Sequence, residues 1–495
     1  MGLTEVATTK AAAKVPSPLP LKLKLIHGFG AVAFGVKDGG FSFFLLIFYN
    51  QVLGMDAALV SLALLIALLA DALIDPILGN LSDRTYTRWG RRLPWLYAAP
   101  IPLGIVWVLL WHPPGGSTPS FGELLAVAIT VRILLSACEV PSVSLVPELT
   151  QDYDERTTLF RFRFLFGWTG GLLMMVMAYA VFMPGSEGIL QADGYLSYGI
   201  FGAALMALSV MGSAAGQHHL IAHYPEVKPP PFSIKTAFSE IREAFSEKAF
   251  LFFAAGGLAA YVSQGMTFSI SNYLNLFVWR FEQTELLIYP AVLFLSVVLM
   301  FLIVGPMHRR WGKPKSAAIS SIGSFTIGLT PYFLLVAGLW PEPGSTASTA
   351  LLYLFLTFAN TLGVVLMISA TSMVAEIVEA FQERTDRRAE GAFYSGNWLV
   401  QKCATGFGIF ITGQIIAASE LPTDSQPGTV AFPILSEMIL LYSGATILMG
   451  LIAAYWLGNF PISRADHESR IARMSAKRAL DTAARGDVDG GTIVP

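Results

Sequence analysis

Charge and cysteine are both scarce in this 495-residue chain. Charged residues make up 13% of it against 54% hydrophobic, where soluble domains carry about 25% charged. That excludes an ordinary water-soluble fold. The two cysteines, Cys138 and Cys403, sit in apolar stretches. They exclude a disulfide framework and read as small packing residues. There is no nucleophile beside a base, no metal-spaced set of His or Cys, and no glycine-rich nucleotide loop, so the chain is not expected to be an enzyme or to carry a cofactor. Residues 1–20 lack the apolar core of a secretory signal and are expected to form a disordered cytoplasmic tail.

What is present is long apolar runs. A hydrocarbon core of about 30 Å needs roughly 20 apolar residues per helix. The sequence offers twelve such runs, near 25–53, 57–80, 93–112, 121–147, 158–183, 197–222, 248–279, 285–308, 315–338, 348–378, 392–418 and 433–459. The fold class is therefore an all-α membrane protein. It is expected to hold an N-terminal six-helix bundle over 21–222, a linker over 223–247, a C-terminal six-helix bundle over 248–459 and a second cytoplasmic tail over 460–495. The linker contains Pro229-Pro230-Pro231 and then SIKTAFSEIREAF, whose periodicity predicts an amphipathic surface helix.

Lys and Arg fall on every second loop. Arg84, Arg88, Arg91 and Arg92 follow span 2, Arg156, Arg161 and Arg163 follow span 4, and Lys228, Lys235, Arg242 and Lys248 occupy the linker. Arg309, Arg310, Lys313 and Lys315 follow span 8, and Arg384, Arg387 and Arg388 follow span 10. Only Arg280 breaks the alternation. Positive loops stay on the cytoplasmic side, which puts both termini there and a multi-pass chain in the plasma (inner) membrane. A basic run between two spans is not a nucleic-acid surface. The tetrads Arg88-Trp89-Gly90-Arg91 and Arg310-Trp311-Gly312-Lys313 stand at the same place in the two halves. They suggest parallel six-helix repeats of the major-facilitator kind, with substrate near the midplane.

Inside these runs, a few charges are too costly to be incidental. Asp71 and Asp75 are four apart, on one face of a helix. A carboxylate at that depth costs on the order of 3 kcal/mol by insertion scales, and two side by side call for a proton or a cation. Pro76 follows directly and removes a backbone donor. Glu139 lies deep in span 4, and Arg132 stands seven residues before it on nearly the same face, about 10 Å along the axis. Arg132 is expected either as a substrate contact or as the counter-charge of the aspartates. Lys37 and Asp38 mark span 1, and Asp38 is a substrate candidate. In span 11, Lys402 with Asn397, Trp398 and Gln401 combines an amine, amides and an indole, which suit a polyhydroxy ring. Gln264, Asn272 and Asn275 are the polar candidates of span 7.

The run Asp71-Ala-Leu-Ile-Asp75-Pro76, Gly79, Asp83-Arg84-Thr85, Arg88-Trp89-Gly90-Arg91-Arg92, Pro94-Trp95 resembles the signature of the glycoside–pentoside–hexuronide cation symporters of the major facilitator superfamily. Glu139-Val-Pro141 with Ser144 and Pro147, Asp154-Glu155-Arg156, Arg163, Glu376 with Glu379, and Lys402 continue the match. The resemblance implies a secondary transporter that moves a sugar or glycoside-type solute with a proton or sodium ion by alternating access. It implies a cation site at Asp71, Asp75, Glu139 and Ser136, and substrate contacts at Arg163 and Lys402. Asp83, Arg84, Arg88, Arg91, Arg92, Arg156, Glu376 and Glu379 would form a cytoplasmic gate. The chain departs from the pattern at Ile74, where an asparagine stands between the aspartates of the family's melibiose permease, and at Val143, where that permease has its sugar-stacking tryptophan. The proton is weakly favoured over sodium. A lysolipid or other amphiphile is the alternative cargo, and a non-transporting sensor or lipid-binding protein the alternative class. The partners expected are a small-molecule substrate and the bilayer, with the protein a monomer.

Overall fold

The computed structural model describes residues 18–114, 118–150, 152–222, 234–385, 387, 389–462, 466 and 469. Every one of the twelve apolar runs is helical. In the first half these are α1 (Leu21–Val52), α2 (Ala57–Asp83), α3 (Leu93–Ala98 continuing as Pro100–Trp111), α4 (Phe121–Leu149), α5 (Tyr153–Met177 continuing as Ala178–Phe182) and α6 (Asp193–Ile221). In the second they are α7 (Lys248–Val278), α8 and α9 (together Gln283–Val336, divided at Gly312), α10 (Thr346–Thr385), α11 (Glu390–Ala418) and α12 (Phe432–Gly458). The loop expected between spans 8 and 9 is a kink: only Gly312, at φ 75° and ψ 167°, leaves helical conformation. α10 runs on to Thr385, one to two turns beyond the end of its apolar run. The linker sequence forms the helix Ile234–Ala244 as its periodicity predicts. Residues 223–233 of the linker, Arg388, and most of the two expected tails lie outside the described residues.

Local chemistry sets the helix starts. Asp56 accepts from the Leu59 amide at 3.0 Å to cap α2, Ser120 and Glu123 form a reciprocal capping box on α4, and Asp152 accepts from the Glu155 amide at 2.9 Å to cap α5. The helices leave bulky apolar side chains outward; Phe301 is 70% exposed and Leu208 67%. A water-soluble monomer rarely shows such a surface, whereas hydrocarbon covers it at no cost.

The chain divides into two compact units, Met1–Ala237 with Pro422–Ser425, and Phe238–Leu421 with Gln426–Pro495. In the first, α1 packs on α5, α2 on α4, and α3 on α6. In the second, α7 packs on α11, the α8–α9 helix on α10, and the α8–α9 helix on α12. The pairing is repeated with an offset of six helices. The first crossing of each unit is made by glycine. A Cβ added at Gly35 of α1 would lie 1.8 Å from the Gly167 carbonyl oxygen of α5, and one at Gly408 of α11 2.4 Å from the Val262 carbonyl oxygen of α7. Without a hydrophobic drive between helices in lipid, such close backbone approach is a principal source of association.

α1 is not regular. Gly40–Phe44 and Phe48–Val52 are π-helical turns, directly after Lys37 and Asp38. The widened turns present Phe41, Phe44 and Phe48 to an aromatic core of Trp107, Trp111, Tyr195 and Tyr198, in which Phe48 and Tyr195 stack at 4.2 Å. Wide turns of this kind often accompany functional sites.

Candidate functional site

The first unit gathers most of the charged residues singled out in its sequence. Asp71 of α2 is wholly buried. Its Oδ1 accepts from the Ser136 hydroxyl of α4 at 2.6 Å, and its Oδ2 lies 3.5 Å from Arg132 Nη1, also on α4. Arg132 is 3% exposed, and its guanidinium carbon sits 3.9 Å from the centroid of the Phe41 ring. Four residues of three helices thus form one stack, in which an aromatic face backs a cation and the cation faces a carboxylate. At an effective dielectric near 20, unit charges about 4 Å apart attract by roughly 4 kcal/mol before desolvation is subtracted.

Asp75 is half-buried one turn further along α2. Glu139, one turn past Ser136, has its Oε2 3.7 Å from Lys37 Nζ, and the same ammonium holds Asp38 Oδ1 at 2.8 Å. Lys37 is buried, while the Asp38 side chain remains 67% exposed. Arg163 of α5 is buried, donates from Nη1 to Ser142 Oγ at 2.8 Å, lies over the Phe34 ring at 5.5 Å, and interacts electrostatically with Glu139. α1, α2, α4 and α5 therefore carry two neighbouring charge groups, Asp71 with Arg132, and Glu139 with Lys37, Asp38 and Arg163. Phe41 was not a sequence candidate. The link between Lys37 and Glu139 was not foreseen either, because both depend on how α1 crosses α4.

The loop after α2 is held by its own charges. Arg92 donates to Ser82 Oγ at 2.7 Å, pairs with Asp83, and lies 3.5 Å from Glu148 Oε1; Arg91 lies 3.3 Å from the same oxygen. Arg84 bonds Asn80, and Arg88 lies over its neighbour Trp89 at 5.5 Å. Arg156 donates from Nε to the Thr150 carbonyl at 3.0 Å. Glu148, at the end of α4, was missed in the sequence, where it reads as one acid among loop residues.

In the second unit, Glu376 of α10 is buried and its Oε1 is 2.8 Å from Lys313 Nζ; Glu379 is half-buried one turn on. Arg310 lies over Trp311 at 5.4 Å. The two tetrads therefore share geometry as well as sequence. Each stacks its first arginine on its tryptophan, and each has its glycine at positive φ, 84° at Gly90 and 75° at Gly312. A β-carbon disfavours that conformation. Each then sends its last basic residue to a carboxylate, Glu148 or Glu376. On α11, Asn397 is buried and Trp398 is 40% exposed, with Lys402 half-buried a turn on. Gln264 is half-buried, and Asn272 and Asn275 are buried.

Two six-helix units built on one repeated pairing, with ionisable groups inside the helices, define a multi-pass membrane protein of the major facilitator fold. Residues 26–464 match the MFS/sugar transport protein family, and the chain belongs to it. It is similar to an uncharacterized symporter of Synechocystis sp., 27% identical over 92% of this chain and 96% of that protein. It is also similar to a putative glycoside/cation symporter of Escherichia coli, 24% identical over 88% and 92%. Among solved structures, a D-xylose–proton symporter matches with a TM-score of 0.61 at 14% identity, over 89% of this chain and 98% of that one; it shares the fold.

Proposed function

We infer that the protein is a cation-coupled symporter of a sugar or glycoside-type solute, working by alternating access in the plasma (inner) membrane with both termini cytoplasmic. The observation that carries the reading is the charge cluster on α1, α2, α4 and α5, with Asp71, Lys37, Arg132 and Arg163 buried, in a chain of the sugar transport family. Asp71, Asp75, Glu139, Asp38, Lys37, Arg132 and Arg163 place four carboxylates against three cations. One further positive charge balances the group, and a cluster so balanced crosses between states at lower electrostatic cost. That is the elementary requirement of coupling.

Each unit offers candidate solute contacts of its own, Asp38 and Arg163 in the first and Gln264, Trp398 and Lys402 in the second, whose charge, amide and indole groups suit hydroxyl-rich rings. The names of the relatives, a glycoside/cation symporter among them, support the cargo class. The ion pairs of Arg91 and Arg92 with Glu148, and of Lys313 with Glu376, support a gate on the cytoplasmic side that opens and closes as they break and form. Counterflow in proteoliposomes across a panel of labelled glycosides, uronates and lysolipids tests the reading. Exchange of a glycoside or uronate is the expected result. Exchange of lysolipids alone changes the cargo, and no exchange of any solute defeats the transport reading.

A further inference from the structure

The seat beside Asp71 is already filled by a positive charge that belongs to the chain. Arg132 Nη1 lies 3.5 Å from Asp71 Oδ2, the other carboxylate oxygen is taken by the Ser136 hydroxyl, and Phe41 closes against the guanidinium. We propose that Arg132 is a tethered cation standing in place of sodium at Asp71, and that it sets the ion selectivity of the carrier by refusing sodium. The proposal rests on the cation-coupled reading and adds which ion is excluded.

Three physical arguments carry it. A hard cation of calcium-like size gathers six or more oxygens at about 2.3–2.6 Å. Around Asp71 the neighbouring positions on the same face of α2 are Leu68, Ile74, Asp75 and Leu78; only Asp75 offers side-chain oxygens there, beside the Ser136 hydroxyl that donates to the Asp71 carboxylate. Second, an ion bound to the Asp71 carboxylate would share it with a guanidinium within a few ångströms, so like charges would meet where no water screens them. Third, the guanidinium does not step aside by losing its proton, because arginine stays charged at every working pH. Nor does it swing away freely, since it is 3% exposed and backed by an aromatic ring.

The test reads sodium directly on the purified full-length protein in detergent, without any transported solute. The thermal unfolding midpoint is followed as sodium chloride replaces choline chloride at fixed pH and ionic strength, together with retention of labelled sodium. The wild type is expected to show no sodium-specific shift and no retention. Arg132→Gln, alone and with Ile74→Asn to supply an amide oxygen, is expected to gain a saturable rise of about 2 °C or more in sodium; Arg132→Lys keeps the charge and is expected to gain none. A wild type that retains sodium or is stabilised by it overturns the proposal, and this arm needs no variant to fold. A folded Arg132→Gln, Ile74→Asn double variant that stays indifferent to sodium overturns it as well. Because no solute is present, failed counterflow beside a sodium-indifferent wild type counts against the transport reading alone. Active counterflow beside sodium binding counts against this proposal alone.

Discussion

Lys313 Nζ lies 2.8 Å from Glu376 Oε1, with the carboxylate side chain 7% exposed, and the corresponding residues of the first half, Arg91 and Glu148, approach to 3.3 Å. The same device recurs where the tetrad recurs. Its two copies differ in burial, and burial decides what each is worth. Arg91 is 41% exposed, so its pair resembles a surface bridge, worth about 0.2–1 kcal/mol.

Glu376→Gln removes a buried partner and leaves the Lys313 ammonium with the Ser372 carbonyl at 3.4 Å, which costs about 1–3 kcal/mol. We expect Glu376→Gln to lower the unfolding midpoint clearly and Glu148→Gln to lower it less, because buried Arg92, which also faces Glu148, keeps Asp83 and Ser82. The exchanged pair Lys313→Glu with Glu376→Lys should recover part of the loss. A double-mutant cycle on detergent-solubilised protein checks this, and a coupling free energy of zero between Lys313 and Glu376 would show that their approach contributes nothing.

Asp71→Asn strips the carboxylate from a buried guanidinium. Breaking a buried pair from one side typically costs about 3–5 kcal/mol, because the surviving charge has no partner. The single variant is expected to lose stability and yield. Asp71→Asn with Arg132→Gln should recover much of it, since both charges then leave together. Comparable midpoints for the single and double variants would contradict the ion-pair account.

How much of this was legible in the sequence follows from the range of each interaction. The helices were, because about twenty apolar residues in a row are a local signal. Asp71, Asp75, Glu139 and Arg132 were visible as charges in apolar surroundings. Their partners were not. Whether Arg132 faces a solute or Asp71 depends on the rotation of α4 against α2, which helical spacing along one chain does not fix. Phe41 looked like any apolar residue until the π-helical turn at Gly40–Phe44 turned it toward α4. Glu148 was hidden by its loop-like neighbours. The kink at Gly312 was read as a loop because Arg309, Arg310, Lys313 and Lys315 interrupt the apolar run, whereas only Gly312 leaves helical conformation there.

Gly35 offers a prediction about assembly that is independent of charge. Gly35→Ala would push a methyl group to within 1.8 Å of the Gly167 carbonyl oxygen, and neither backbone yields cheaply. Overpacking of this kind costs about 1–3 kcal/mol or more. Gly444→Ala on α12 is the matched control, since its added methyl meets nothing within 4 Å. Alanine there should be neutral or slightly stabilising. Equal midpoints for the two variants would mean that the α1–α5 crossing is looser than its geometry.

Asp75 supplies the prediction that separates coupling from binding. It is half-buried, one turn from the pair formed by Asp71 and Arg132, so replacing it removes one negative charge from the cluster without leaving Arg132 unmatched. Asp75→Asn mimics the neutral carboxyl permanently. The variant should exchange solute at near wild-type rates in counterflow, where no net movement of the coupling ion is required. It should fail to accumulate solute against a gradient in energised vesicles, because the charge that rides with the solute no longer comes and goes. Stability should change by less than in Asp71→Asn, which the same unfolding measurement reads. Accumulation equal to wild type in Asp75→Asn vesicles would remove Asp75 from the coupling site and leave Glu139, held by Lys37 at 3.7 Å, as the carboxylate to replace next.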